Sequence, residues 1–156
     1  MRILLIGSNG QLGKSIIQKK PDKIDLIKTS REKFDLLNHK QCQSAIHDLR
    51  PDWVINCAAY TNVELAEDNH EEAYLINTLA PSKIAEVCAE LSIPLIHFST
   101  DYVFDGISKR SIKESDAKNP LNFYGITKHL GEEEVLKNCK KFGIEVIEKL
   151  EGVGKN

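Results

Sequence analysis

Apolar residues fall in short runs separated by glycine, proline or polar breaks. Ile3-Leu-Leu-Ile6 is unbroken, too short for a helix and of the length of a strand buried on both faces. Glycines follow at 7, 10 and 13, and residues 11–20 then take helical spacing, with Leu12, Ile16 and Ile17 on one side and Pro21-Asp22 ending the run. Residues 24–28 predict a second strand. Asn38 stands where it caps a helix over 39–49, buried along Cys42, Ala45, Ile46 and Leu49. A third strand covers 53–57. A long helical stretch from about 69 to 91 is apolar along Ala73, Ile76, Leu79, Ile84, Val87 and Cys88, with a kink or break expected at Pro81. Residues 93–99 make a fourth strand, apolar except for His97; Asn119-Pro120 opens a further helix, and 142–147 reads as a fifth strand. Strand and helix in alternation predict a parallel sheet covered on both faces.

Ligands of such sheets collect beyond the carboxyl ends of the strands, so the polar residues just after each apolar run carry the interest. The first run ends in Gly7-Ser-Asn-Gly-Gln-Leu-Gly13. Gly7 permits a sharp turn, Gly10 removes the Cβ that would hold a phosphate off the backbone, and Gly13 lets the new helix lie close on the strand. A diphosphate then meets the free N–H groups at the helix start, which makes the fold a Rossmann-like doubly wound sheet binding a dinucleotide. The second strand runs into Thr29-Ser-Arg31 with no acid before Glu32. A base there accepts a 2′-phosphate, so NADPH is favoured over NADH, with a solvated loop arginine as the alternative. Ala58-Ala-Tyr-Thr61 is small where a cofactor would pass, which tight packing alone would also require.

Composition narrows the picture. A chain of 156 residues makes one domain, read as 1–147 followed by an atypical tail, 148–156, expected to be disordered. A net charge of −2 without a basic cluster gives no reason to expect nucleic acid or an anionic membrane as partner. No apolar run is long enough to span a bilayer, and the amino terminus lacks the layout of a secretory signal, so a cytoplasmic setting is expected. The four cysteines and five histidines are scattered singly; reduced thiols and no metal site are expected.

The chemistry concentrates late in the chain. The fourth strand ends in Ser99-Thr-Asp-Tyr-Val-Phe-Asp-Gly106, and the next helix carries Tyr124-Gly-Ile-Thr-Lys128. Residues four apart share a helix face, and an ammonium beside a phenol lowers the tyrosine pKa. Tyr124 could then give a proton to a carbonyl oxygen as hydride reaches the carbon, with Thr100 holding that oxygen in line. A solvated helical face is the alternative.

With Asn56-Cys-Ala-Ala-Tyr-Thr61 and Pro120-Leu-Asn-Phe-Tyr-Gly-Ile-Thr-Lys128, these motifs resemble the extended short-chain dehydrogenase/reductases, and within them the dTDP-4-dehydrorhamnose reductase family. The likeness covers about residues 1–142. It implies NAD(P)H-dependent reduction of the C4 ketone of dTDP-4-dehydro-β-L-rhamnose. Gly10, Gln11 and Leu12 would line the diphosphate turn, Asp35 and Leu36 would border the adenine, and Ala59, Tyr60 and Thr61 would pass the cofactor's middle. Tyr124 would be the proton donor, Lys128 would hold the nicotinamide ribose, Thr100 would complete the triad, and Thr100 and Asp101 would touch the sugar. Asn77 matches an asparagine behind the family's site, with a polar helix residue bonded to backbone as its other reading. Ser15 stands where some members carry a metal-binding glutamate.

The likeness stops at 148–156, and the carboxyl half that supplies the family's later strands and substrate lobe has no counterpart in these 156 residues. An exposed sheet edge and self-association are expected from that. A catalytically incomplete dinucleotide-binding fragment or regulatory subunit, and another sugar-nucleotide epimerase or dehydratase, are the competing functions.

Overall fold

A computed structural model describes residues 1–29, 31–107, 110–113, 115–138 and the backbone of 145–147. The predicted strands form one parallel sheet: β1 (Arg2–Ile6), β2 (Asp25–Lys28), β3 (Trp53–Asn56), β4 (Leu95–Phe98) and β5 (Glu145–Ile147), in the order β2-β1-β3-β4-β5. Register is set by pairs such as Leu4 with Ile27 and Val54, and Asn56 with His97. Leu4 and Leu5 are fully buried on opposite faces of β1, which is why this run has no polar alternation. Each such side chain contributes about 2 kcal/mol relative to an exposed one. From β1 the chain goes out to β2 on one side and returns to β3 on the other, so the order reverses beside β1, where such sheets bind ligands.

Helix α1 (Gln11–Lys19) touches the sheet through Gly13, its one buried residue. Leu12, expected on the inner side, is exposed on the first turn, while Ile16 and Ile17 are half-buried. Helix α2 (His39–Leu49) has the expected span, and Asn38 Oδ1 accepts from Gln41 N at 3.1 Å as its cap. Its Cys42 and Ile46 join Leu4, Val54, Ile84 and Leu95 in the main core. A short helix, α3 (Val63–Ala66), has too few apolar positions to show in the hydrophobic pattern; Asn62 caps it by accepting from Leu65 N at 3.0 Å.

The stretch expected to bend at Pro81 stays helical but changes pitch. Helix α4 (His70–Tyr74) passes into one wide turn, Leu75–Leu79, and then α5 (Ala80–Leu91). Ala80 N–H reaches back five residues to Leu75 O, and Pro81, with no N–H, sits in the first turn of α5. Widening the turn lets the proline in without breaking the rod. It also leaves Asn77 O turned to α6 (Phe123–Asn138), where Gly131 packs on it: a Cβ on Gly131 would lie 2.1 Å from that oxygen. Helix α6 begins later than Asn119-Pro120 suggested. Asn122 Oδ1 accepts from Gly125 N at 2.7 Å, whereas Asn119 turns back to Val103 O and Asp105.

Cys42, Cys57 and Cys88 are free thiols; Cys139, Ser30 and the tail 148–156 lie outside the described residues.

Candidate functional site

The site begins where β1 stops. Gly7 has φ +79°, and a Cβ on it would lie 2.7 Å from Ala58 N, so strand β3 closes on the turn from the side. Gly10 N donates to Gly7 O at 3.1 Å, and Gly10 then heads α1 with no side chain capping the helix. A Cβ on Gly10 would meet only Gly7 O, at 3.5 Å, so the turn is open toward an approaching group, while one on Gly13 would lie 2.3 Å from Gly7 O. The sharp turn at Gly7 and the close packing at Gly13 are those the glycine spacing implied. Uncapped first-turn N–H groups at an open turn suit an anion.

A cavity of about 520 Å³ spreads from this turn across the ends of β1, β2 and β3. Gly7, Gly10, Arg31, Asp35, Leu36, Ala59, Tyr60 and Thr61 line it, as do Phe34, Asn62 and Ile76, which the motifs did not single out. Gln11, Leu12 and Gly13 are not in its wall; the first two are exposed beside it and the third is buried beneath. Arg31 is largely exposed, its Nε 3.8 Å from Asp35 Oδ1, so its charge stands at the cavity mouth only loosely engaged. The ends of β1 and β2 are stitched by Ser8 Oγ to Thr29 O at 3.1 Å and Thr29 Oγ1 to Leu5 O at 3.3 Å.

Two asparagines fix the strip after β3. Asn56 Oδ1 accepts from Ala58 N at 3.1 Å, and its Nδ2 faces His97 Nδ1 at 3.2 Å across the β3–β4 pair. Burial, then the nearby Lys128 charge, hold His97 well below the usual imidazole range, so it serves as a neutral acceptor. Asn77 binds both backbone groups of Tyr60 and donates to Thr127 Oγ1 at 3.1 Å, which in turn donates to Tyr124 O at 2.8 Å. The backbone-bonded reading of Asn77 is therefore the observed one. It joins the cavity wall to the helix that carries Tyr124.

Tyr124, Thr100, Asp101 and Lys128 gather at the end of β4, outside the walls of the cavity. Thr100 caps a tight turn, Asp101–Val103, by accepting from Tyr102 N at 3.3 Å, and its hydroxyl donates to Asp101 Oδ1 at 3.2 Å. The Tyr124 ring is buried edge-on against Tyr102, with centroids 5.6 Å apart. Lys128 Nζ donates to Phe98 O at 2.6 Å.

The expectation that Lys128 lowers the Tyr124 pKa is overturned. Burial raises it, the interaction with Thr100 only partly offsets this, and the charge of Asp101 raises it further. Burial brings Lys128 itself down to about 8, opposed by the charge of Glu132. The lysine is engaged by a backbone carbonyl, and the buried phenol keeps its proton at neutral pH.

Glu132 itself escaped the sequence reading because Glu132-Glu-Glu134 looks like a solvated charge run. Only the first is fully buried, where it accepts from Ser99 Oγ and Lys118 Nζ.

A family model described as the RmlD substrate-binding domain matches residues 1–147. The chain belongs to this family. A dTDP-4-dehydrorhamnose reductase of Sinorhizobium fredii is 38% identical over 133 residues, covering 85% of this chain and 45% of the relative. The crystal structure of the dTDP-4-dehydrorhamnose reductase of Clostridium acetobutylicum superposes with a TM-score of 0.89 at 36% identity, over 100% of this chain and 56% of that one. The enzyme of that name from Bacillus anthracis, solved in complex with NADP, gives 0.88 at 33% identity, over 99% and 56%. The chain thus spans about half the length of the relatives it matches, and within the family its sheet is the Rossmann-like α/β unit.

Proposed function

We propose that residues 1–147 are the dinucleotide-binding unit of a cytoplasmic NAD(P)H-dependent reductase of the dTDP-4-dehydrorhamnose reductase type, with NADPH the preferred cofactor. The observation that carries this is the shared edge. The open glycine turn at the end of β1 and the Thr100–Tyr124 pair at the end of β4 stand on the same side of one sheet.

A bound NADPH would supply hydride to the C4 ketone of dTDP-4-dehydro-β-L-rhamnose. Tyr124, kept protonated by burial, gives its proton to the C4 oxygen, and Thr100 aligns that oxygen. Thr100 and Asp101 meet the sugar, and Lys128, held at the end of β4 by Phe98 O, meets the nicotinamide ribose. Gly7, Gly10, Gln11, Leu12 and Gly13 form the diphosphate turn, Arg31 takes the 2′-phosphate, Asp35 and Leu36 border the adenine, and Ala59, Tyr60 and Thr61 flank the middle of the cofactor.

The test is a fluorescence titration of the purified chain with NADPH and NADH, followed by addition of the dTDP-keto sugar while cofactor absorbance is read. Loss of absorbance that Tyr124→Phe abolishes, at nearly unchanged cofactor affinity, is expected. Full turnover by Tyr124→Phe would rule out the proton-donor role. Because the chain spans about half of its relatives, a second reading is a binding unit without turnover, selected by tight cofactor binding with no oxidation.

No helix among the described residues is long and apolar enough to cross a membrane. Among the described residues β5 pairs on one side only, and pairing of that edge with a second copy belongs to the same proposal. A concentration-dependent shift in size-exclusion elution would support it.

A further inference from the structure

We infer that Glu132 is a positioning residue: its buried carboxylate locks the end of β4, the segment leading into α6 and the ammonium of Lys128 into one arrangement. Its role in the reaction rests on the reading just proposed; its role in the protein does not.

Glu132 lies one turn beyond Lys128 on the same face of α6, with 1% of its surface exposed. The two residues grip consecutive positions of one strand end. Lys128 Nζ donates to Phe98 O at 2.6 Å, and Glu132 Oε1 accepts from Ser99 Oγ. Thr100 is the next residue; it caps the turn Asp101–Val103 and acts on the Tyr124 phenol. A carboxylate and an ammonium on a rigid helix therefore fix the two residues before Thr100. Their charges oppose each other across a dry interior.

The other oxygen of Glu132 accepts from Lys118 Nζ, which fastens the approach to α6, and His129 Nδ1 lies 3.8 Å from the same oxygen. Around Lys128 stand His97 on β4, neutral through burial, and Tyr124 on its own helix, whose phenol also feels the charge of Asp101. Of these groups Glu132 is the one whose charge supports the protonated lysine, against burial that brings it to about 8.

A role confined to packing and a role through charge differ in the titration of Lys128, which can be read by NMR of lysine labelled at the ε-carbon, the signal being assigned by its loss in Lys128→Met. Glu132→Gln keeps the shape and removes the charge. The Lys128 midpoint is expected to move to lower pH by roughly one unit, and NADPH affinity is expected to fall away on the alkaline side at correspondingly lower pH. Lys118→Met removes a competing positive charge at a partly exposed site and is expected to move the midpoint the opposite way. It also decides the matter should the glutamine variant fail to fold. A Lys128 midpoint unmoved by these substitutions, or moved in one direction by both, would overturn the inference. A wild-type chain that binds no NADPH would overturn the proposed function, while the Lys128 titration would still test the role of Glu132.

Discussion

Asn77 holds Tyr60 by both of its backbone groups: Tyr60 N donates to Asn77 Oδ1 at 2.8 Å, and Asn77 Nδ2 donates to Tyr60 O at 3.0 Å. The pair fastens the strip that walls the cavity to the wide turn ahead of Pro81. Asn77→Ala leaves two backbone groups and Thr127 Oγ1 short of partners, at about 1–3 kcal/mol each where water cannot replace them. Urea denaturation is expected to show a loss of about 3 kcal/mol or more. Asn77→Asp, which cannot donate to Tyr60 O, should lose nearly as much despite its matching shape. An aspartate variant as stable as wild type would show that the clip is dispensable.

At Gly7 two costs coincide. Its φ of +79° disfavours any L side chain, and a Cβ would lie 2.7 Å from Ala58 N in the backbone just beyond β3. Gly7→Ala is expected to destabilise the fold by more than about 2 kcal/mol and to abolish NADPH binding, because β3 must retreat from the turn. Gly10→Ala meets only Gly7 O at 3.5 Å and should fold normally. Its loss should appear in cofactor affinity alone, so melting temperature and NADPH titration together separate the two glycines.

Among the described residues Arg31 is tied only to Asp35, at 3.8 Å, and it stands exposed at the cavity mouth. Its removal should leave stability within about 0.5 kcal/mol of wild type. For a charge-assisted contact to a 2′-phosphate, Arg31→Ala is expected to weaken NADPH by about tenfold or more and leave NADH unchanged. Equal losses for both cofactors would remove the 2′-phosphate role.

Lys128 makes stability depend on pH in a direction that can be worked out. Its pKa is about 8 when folded against a reference of 10.5, so between these values the unfolded chain binds the extra proton and stability rises with pH. The span corresponds to about 3 kcal/mol. Cys42 and Cys57 act oppositely: burial raises both thiols from 9.0 to about 12, so they oppose unfolding less as pH climbs past 9. The lysine's contribution is therefore clearest between about pH 8 and 9. Denaturation midpoints over that interval should rise for wild type and stay flat or fall for Lys128→Met; parallel profiles would contradict the folded pKa of Lys128.

The alternation of apolar runs and glycine breaks determined the sheet, the span of α2, and the glycine turn, because each depends on contacts within a few residues: an unbroken run buried on both faces, Asn38 capping Gln41, Gly7 turning the chain. Tyr124, Thr100 and Lys128 were legible as residues, since four-residue spacing and a strand end are local facts. What their neighbours do to them was not. The phenol is raised rather than lowered because burial, which no spacing reports, acts on it most and the charge of Asp101 adds to it, while the lysine finds Phe98 O thirty residues away. Likewise Pro81 announced a disturbance, but that the helix would widen and continue, with Asn77 O packed on Gly131, is seen only in the assembled fold. Glu132 differs from Glu133 in nothing but the direction it points on a helix, and that direction is assigned by the sheet it faces. Local chemistry thus named the parts, while desolvation and distant partners, properties of the assembled interior alone, set their charge and their hold on one another.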